Sequence, residues 1–179
     1  MIAGLWLLLG CVEQIPDVTV INDFETDQDL DRIHWECHRL FSLSGDHASH
    51  GGRCLKMELF PGLYPGVALK LRHGDWRRYC ALAFDVYNDQ DVTLTLTVRI
   101  DDREDYPDYK DRYNQRFALN PGINYIRIPM DTLQTSGDGR KLDVSHIQRF
   151  LLFLHRTERR YELYLDWVRL ESERPGAGL

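Results

Sequence analysis

The chain has 179 residues, of which 43% are hydrophobic and 28% are charged. A chain of this length and composition forms one globular domain, with a core large enough to fold without a disulfide framework or a structural metal. Its 22 basic and 28 acidic residues give a formal net charge of −6. Because phosphate-backbone binding normally requires a basic surplus, we expect no nucleic-acid partner.

An apolar run occupies residues 2–12. It is shorter than the roughly 20 residues with which a helix crosses a bilayer, and its length is typical of the apolar part of a secretory signal. The sequence LLLGC, which ends at Cys11, resembles a bacterial lipoprotein signal with Cys11 as the lipidated residue. We expect a signal-like segment at 1–11 and export to the periplasm or outer envelope as a lipoprotein. Secretion without a lipid and a cytosolic protein with an apolar start are the alternatives.

After a linker at 12–17, the apolar runs are short, rich in β-branched and aromatic residues, and bounded by Gly, Pro, Asn or Asp. The clearest strand is Val92–Asp101, in which apolar residues alternate with Thr93, Thr95, Thr97 and Arg99. Further strands are predicted over Val18–Phe24, Ile33–Ser42, Arg53–Phe60, Val67–Arg72, Ala81–Asn88, Gly122–Pro129, Phe150–His155 and Tyr161–Leu170. The strongest helical candidate, Val144–Arg149, is equally well explained as a turn that enters the next strand.

The strand predicted over Ile33–Ser42 argues against a zinc site at His34, Cys37 and His38. Residues four apart on a strand are about 13 Å apart, so the two histidines could not share one ion. With Cys11 lipidated, the three other cysteines form at most one disulfide. We expect most of them to be small buried residues without chemistry.

Short strands at regular intervals, without a long helix, predict two antiparallel sheets packed face to face. We expect an all-β, two-sheet antiparallel jelly-roll sandwich over 18–171 and a flexible tail at 172–179.

Several stretches add a family resemblance to this pattern. They are Asn22–Glu25, Ser44–Leu55, Asp75-Trp76, Phe84–Asn88, Asn120–Pro129 and Leu163–Leu170. In this order they resemble the galactose-binding-like jelly rolls of non-catalytic carbohydrate-binding modules, over about 20–171. The resemblance implies a lectin-like domain whose partner is a carbohydrate polymer or oligosaccharide. The same fold also serves in assembly factors, so an envelope protein partner is the alternative.

The resemblance also implies a structural calcium ion between the first and last strands. The family's ligand positions correspond to Glu25, Asp166 and the turn around Gly52, with Asp23 as an alternative ligand. Ca²⁺ takes six to eight oxygen ligands and accepts carboxylates together with carbonyls. The alternative is that Glu25 caps a strand end and Asp166 accepts backbone hydrogen bonds.

Sugar binding generally uses an aromatic face together with planar polar groups. The segment Asp101–Arg116 is rich in charges and tyrosines and follows the clearest strand. We predict ligand contacts from Trp35, Asp85, Tyr87, Arg99, Asp101, Tyr106, Tyr109, Tyr113, Arg116 and His155. The alternatives are a core position for Trp35 and, for the segment, a solvated loop whose charges pair with one another.

The sequence contains no GxSxG, phosphate-binding glycine loop, HExxH or CxxC motif. Adjacent carboxylates such as Asp101 and Asp102 point to opposite faces of a strand and cannot flank one glycosidic bond. The least implausible catalytic scheme is a polysaccharide-lyase site built from Tyr113, Arg99 and His155, with the tyrosine transferring the proton. We therefore expect a binding domain rather than an enzyme.

Overall fold

The structure, a computed structural model, describes residues 17–34 and 39–172. The predicted lipidation site Cys11, the ligand candidate Trp35 and residues 173–179 of the predicted tail lie outside the described residues. Within those two ranges the strands are β1 (Val18–Asn22), β2 (Ile33–His34), β3 (Arg39–Ser44), β4 (Cys54–Leu59), β5 (Gly66–Leu69), β6 (Ala81–Asn88), β7 (Leu94–Asp101), β8 (Tyr113–Leu119), β9 (Gly122–Pro129), β10 (Arg149–Leu154) and β11 (Tyr161–Glu171).

Helical structure in the described part of the chain is limited to short 3-10 turns. They span Asp27–Arg32, Tyr109–Asp111 and Met130–Thr132. None of them is long and apolar enough to cross a membrane.

The strands form two antiparallel sheets. The six-stranded sheet has the order β3-β4-β11-β6-β9, and β1 pairs with the C-terminal half of β11. The five-stranded sheet has the order β2-β5-β10-β7-β8. This architecture confirms the predicted all-β sandwich.

One hydrophobic core fills the space between the sheets. The alternating residues that face inward are buried on both sides, and Phe84 of β6 meets Phe150 of β10 with their ring centroids 5.7 Å apart. Trp76, in the segment before β6, is also fully buried. Each sheet therefore uses one face for the core and leaves the other face for different contacts.

Two local predictions differ from the structure, and a third segment follows one of its two predicted alternatives. The strand predicted over Ile33–Ser42 is divided, because β2 pairs with β5 in one sheet and β3 pairs with β4 in the other. β8 begins within the charged segment Asp101–Arg116, which was predicted largely as a loop because its charges hide the start of the strand. Backbone pairing with β7 forms the strand there. The helical candidate Val144–Arg149 forms a turn before β10, which is the alternative explanation.

The described cysteines are free. Cys54 is buried and Cys80 is half-buried. Burial raises the pKa of Cys54 to about 12, so its thiol stays protonated at neutral pH.

We predict that Leu165→Ala, in the middle of β11, destabilises the domain by about 2–5 kcal/mol. Leu165 is fully buried and pairs with Leu55 and Val86 on its two sides, so the substitution leaves a cavity in the core. Urea unfolding measures the loss in the free energy of unfolding. The matched control is Leu40→Ala on the edge strand β3, where the side chain is 48% exposed. Equal losses in both variants would contradict the core assignment.

Candidate functional site

The outer face of the five-stranded sheet carries a cleft with a volume of about 460 Å³. Its floor is formed by β5, β10, β7 and β8, and its sides by the segments that precede β5 and β8. The residues that line the cleft include Tyr64, Arg99, Tyr109, Arg112, Arg116, Phe153 and His155.

Strand register places the floor residues in two rows across the sheet. One row runs Ala68, Leu151, Arg99 and Asn114 from β5 to β8. The next row runs Gly66, Phe153, Thr97 and Arg116. Directly paired residues of an antiparallel sheet share a face, so both rows face the cleft. The floor is therefore apolar on β10 and polar or basic on β7 and β8.

Two exposed tyrosines stand at the sides of this floor. Tyr64 is 55% exposed and Tyr109 is 59% exposed. The segments that carry them precede β5 and β8, which lie on either side of the β10–β7 pair. The Tyr64 ring packs edge-on against Phe153 at 5.6 Å and lies 5.4 Å from the His155 ring. These rings offer apolar faces to a molecule in the cleft.

A buried carboxylate fixes the guanidinium on the cleft floor. Arg99 Nε donates to Asp101 Oδ1 at 2.8 Å, and Arg99 Nη2 donates to Asp101 Oδ2 at 2.5 Å. Arg149 approaches the same carboxylate at 3.5 Å. Asp101 itself is inaccessible to solvent. It therefore orients Arg99 from the next outward position of the same strand and is not available to a ligand in this structure.

Arg112 and Arg116 extend the basic side of the cleft along the outer face of β8. Within the described residues neither makes an ion pair, and the buried Nε of Arg112 has no hydrogen-bond acceptor. Burial lowers the pKa of Arg112, and the nearby positive charge of Arg99 lowers it further. The guanidinium stays charged, because arginine does not deprotonate in proteins. The Tyr109 ring centroid lies 5.7 Å from this guanidinium, which forms no ion pair with a described carboxylate.

A second hollow of about 330 Å³ continues the cleft along the sheet. It shares Thr97, Arg116 and His155 with the first and ends near Arg156 and Tyr161. The two hollows together form an elongated groove.

An ion-pair network holds the loop that carries Tyr109 and Arg112 beside the cleft. Arg140 bridges Asp102 and Asp111, with its Nη1 at 2.7 Å from Asp102 Oδ2 and its Nη2 at 2.8 Å from Asp111 Oδ1. The amide of Asp143 also donates to Asp102, at 2.7 Å. Burial of the Asp102 carboxyl opposes its ionisation, but these hydrogen bonds outweigh burial and lower its pKa from 3.8.

The lowered pKa of Asp102 predicts a pH-dependent stability. A carboxyl that ionises more readily in the folded state contributes its full stabilisation above its unfolded pKa, near 4, and loses it as the pH falls through the lower folded value. We expect Asp102→Asn to reduce the free energy of unfolding by about 2 kcal/mol near neutral pH. The difference from wild type shrinks below about pH 4, as measured by urea unfolding across a pH series.

The control for this series is Asp75→Asn, which removes an exposed ion pair with Arg77. We expect this variant to stay close to wild type near neutral pH, because exposed pairs contribute little. A difference between Asp102→Asn and wild type that grows as the pH falls would contradict the network's role.

The predicted ligand residues fall into distinct places. Arg99, Tyr109, Arg116 and His155 line the cleft. Tyr106 lies on the adjoining loop, where it is exposed and stacks on Arg149 at 4.1 Å. Arg99, Tyr109, Arg116 and His155 thus share one location, and their contact with a sugar stays a prediction.

Asp85 and Tyr87 belong to the opposite side of the sandwich. They were expected to share a surface with Arg99, but β6 lies in the six-stranded sheet and β7 in the five-stranded sheet. Asp85 is buried and accepts a hydrogen bond from Ser49 Oγ at 2.7 Å. Tyr87 stacks on His47 at 3.7 Å. The expected common surface is therefore not formed.

Tyr113 points into the core rather than into the cleft. It is 4% exposed, pairs with Ile100, and donates its hydroxyl to Gln115. Burial raises its pKa to about 12. The side chain is thus separated from Arg99 and His155, and the lyase scheme built on these three residues is not assembled.

At the predicted metal position, Asp166 is engaged by backbone amides. Its Oδ2 accepts hydrogen bonds from the amides of Ser49 at 2.7 Å and His50 at 2.9 Å. Its Oδ1 accepts from the Trp167 amide at 2.7 Å. Burial raises the pKa of Asp166, and these amides oppose that rise.

Glu25 makes a similar contact a few residues further along the same turn. Its Oε1 accepts hydrogen bonds from the amides of Gly52 and Arg53, each at 2.9 Å. Gly51 has a φ of 65°, and a Cβ there would come within 2.3 Å of the Glu25 carboxylate. The alternative ligand Asp23 is half-buried beside these residues.

The described contacts of both carboxylates are made with backbone N–H donors. Asp166 accepts three such hydrogen bonds and Glu25 accepts two. The turn presents N–H donors to both carboxylates, whereas Ca²⁺ requires oxygen ligands. No cluster of three or more His, Cys, Asp or Glu side chains suited to a metal occurs in the described ranges. The arrangement matches the alternative in which both carboxylates accept backbone hydrogen bonds.

A direct titration tests the calcium prediction. From the hydrogen bonds we expect the melting temperature to be the same in excess Ca²⁺ and in EDTA, because the carboxylate oxygens are occupied by N–H donors. Differential scanning fluorimetry of wild type and Asp166→Asn measures this. An increase with Ca²⁺ that is absent in Asp166→Asn would instead establish the ion.

The sequence analysis missed several residues of the cleft. Tyr64 lies in a Pro- and Gly-bounded turn, and Arg112 lies in the charged segment, so neither had a strand pattern to place it. Leu151 and Phe153 lie in FLLFL, where every residue is apolar and period two cannot be recognised. The sequence did contain one indication of the site. A strand whose residues are all apolar either has both faces covered by protein or presents one face to a ligand.

Comparisons with known proteins identify the fold. No family model and no curated protein matches the chain. A family 11 carbohydrate-binding module from Clostridium thermocellum, in complex with a β-1,3-1,4-mixed-linked tetrasaccharide, matches with a TM-score of 0.63 and 15% identity over 87% of this chain and 95% of the module. The xylan-binding CBM22-1 domain of Paenibacillus barcinonensis Xyn10C matches with a TM-score of 0.55 and 11% identity over 89% of this chain and 97% of that domain.

An enzyme structure also contains this fold. An exo-β-agarase matches with a TM-score of 0.69 and 17% identity over 87% of this chain, but only 25% of the agarase is covered. At these identities the likeness defines the fold and not the ligand. The domain has the jelly-roll fold of carbohydrate-binding modules, which confirms the resemblance seen in the sequence.

Proposed function

We propose that this domain is a non-catalytic carbohydrate-binding module that holds an oligo- or polysaccharide in the cleft of the five-stranded sheet. The observation that carries the proposal is the combination of two exposed tyrosines with a guanidinium-bearing sheet floor. Aromatic faces cover the apolar C–H side of a sugar ring, and fixed guanidinium groups hydrogen-bond to its oxygens. The elongated shape of the groove accommodates several sugars in a row.

The lining of the groove supports binding rather than glycoside hydrolysis. Hydrolysis of a glycosidic bond generally uses two carboxyl groups that flank the bond. No Asp or Glu lines the cleft or its continuation in the described part of the chain. The lining also supports a glycan over a protein partner, because it is concave and arginine-rich instead of a broad apolar patch.

The structural neighbours add support from their own ligands. The Clostridium thermocellum module was solved with a bound tetrasaccharide, and the Paenibacillus barcinonensis domain is xylan-binding. We further propose that the protein acts at the bacterial envelope and is held there by lipidation of Cys11. That part of the proposal rests on the lipoprotein-like sequence at 7–11.

The test is isothermal titration calorimetry of the soluble domain against a panel of oligosaccharides, with Tyr64→Ala and Tyr109→Ala. We expect each substitution to weaken binding of the recognised glycan about tenfold, because an aromatic platform is removed. The matched control is Tyr125→Ala, on the outer face of the six-stranded sheet, where the side chain is 73% exposed. Equal affinity in all three variants and wild type would move the binding site away from the cleft.

A further inference from the structure

The charge of the cleft is opposite to the charge of the whole chain. The protein carries a net charge of −6, yet the described residues that line the cleft include four arginines and no carboxylate. The second hollow adds Arg156 and again no carboxylate from the described residues. A basic groove on an acidic protein is a local feature that composition does not explain.

The arginines of the cleft differ in how they are compensated. Arg99 is bound by the buried Asp101 in a two-pronged ion pair, so this pair is close to neutral. Arg112 and Arg116 have no acidic partner among the described residues. Arg112 is also partly withdrawn from water, and its buried Nε lacks an acceptor. A desolvated and unpaired cation favours a ligand that brings negative charge.

The spacing of these groups indicates a ligand with several anionic groups. Arg112, Asn114 and Arg116 are two residues apart along the outer face, so the two arginines are separated by about 13 Å along the strand direction. Arg156 lines the far end of the groove. Guanidinium groups bind carboxylates and sulfates through parallel hydrogen bonds, which a neutral hydroxyl cannot match in strength.

We infer that the groove selects an anionic polysaccharide, whose sugars carry carboxylate or sulfate groups, over a neutral glycan. This inference rests on the proposed carbohydrate-binding function and defines the substrate class of the same site. The tyrosines and Phe153 contact the sugar rings, whereas Arg112 and Arg116 contact the anionic substituents.

The experiment compares pairs of polymers that share a backbone and differ in charge. Sulfated agarose is compared with agarose, and polygalacturonate with its neutral methyl ester, by affinity electrophoresis and calorimetry. The proteins are wild type, Arg112→Gln, Arg116→Gln and Tyr64→Ala. The matched control is Arg127→Gln, which makes the same charge change on the outer face of the six-stranded sheet. Arg116 is exposed, so its variant folds even if Arg112→Gln is destabilised.

We expect one charged polymer to bind about tenfold or more tightly than its neutral partner at about 20 mM salt, with the difference shrinking at about 500 mM. The charged polymer that binds, sulfated or carboxylated, shows which of the two anionic groups is recognised. Arg112→Gln and Arg116→Gln each weaken charged-polymer binding about tenfold, and Arg127→Gln leaves it unchanged. Tyr64→Ala weakens binding of charged and neutral polymers alike.

Other outcomes overturn the inference in distinguishable ways. Equal binding of charged and neutral partners that is lost in Tyr64→Ala leaves the carbohydrate-binding function standing and removes the anionic preference. Absence of binding to every glycan removes the proposed function itself. Loss of binding in Arg127→Gln shows unspecific charge attraction, and tighter binding of a single-stranded RNA homopolymer shows a nucleic-acid site.

Discussion

One buried carboxylate, that of Asp101, joins the floor of the cleft to the loop beside it. Arg99 binds it from the same strand and Arg149 approaches it from the neighbouring strand. Arg149 also donates to backbone carbonyls of Arg103 and Glu104, and Tyr106 stacks on its guanidinium. Leaving a buried charge without its partner is strongly destabilising, so the whole arrangement is held as a unit. The position of the cleft arginine and the course of the loop therefore depend on the same interaction.

The hollow of the cleft follows from the sizes of its side chains. Three small residues, Gly66 and Ala68 of β5 and Thr97 of β7, flank Leu151 and Phe153 of β10. Gly66 leaves no space for a Cβ, because one would come within 2.0 Å of the Leu152 carbonyl oxygen. The longer side chains of Tyr64, Tyr109 and Arg112 stand at the sides of the cleft.

The sequence predicted the sandwich well, because alternation along strands such as β7 reflects burial on one face. It predicted Arg99 in the site for the same reason, since period two places this residue outward, whereas Arg116 was predicted from the composition of the charged segment Asp101–Arg116. Alternation does not show which strands become neighbours, so Asp85 was grouped with Arg99 although their strands lie in different sheets. Nor does it show what covers an outward residue, which is why Asp101 was expected to face a ligand. Strand pairing and the burial of outward residues both depend on contacts between residues that are distant in the chain.

The unequal distribution of charge gives the molecule a preferred direction. On the six-stranded sheet the acidic side chains are paired with basic ones: Asp85 with Arg169, Glu162 with Lys56 and Glu171 with Arg127. The cleft on the opposite side of the sandwich contains arginines that form no ion pair with a described carboxylate. Such an asymmetric electrostatic field orients the domain relative to a charged partner before contact. The effect acts within the Debye length, about 8 Å at physiological ionic strength. Near a negatively charged surface the unpaired arginines are attracted, and the cleft turns toward that surface. The domain would thus approach such a surface with the cleft facing it. Encounters through the outer face of the six-stranded sheet would be brief and would not lead to binding.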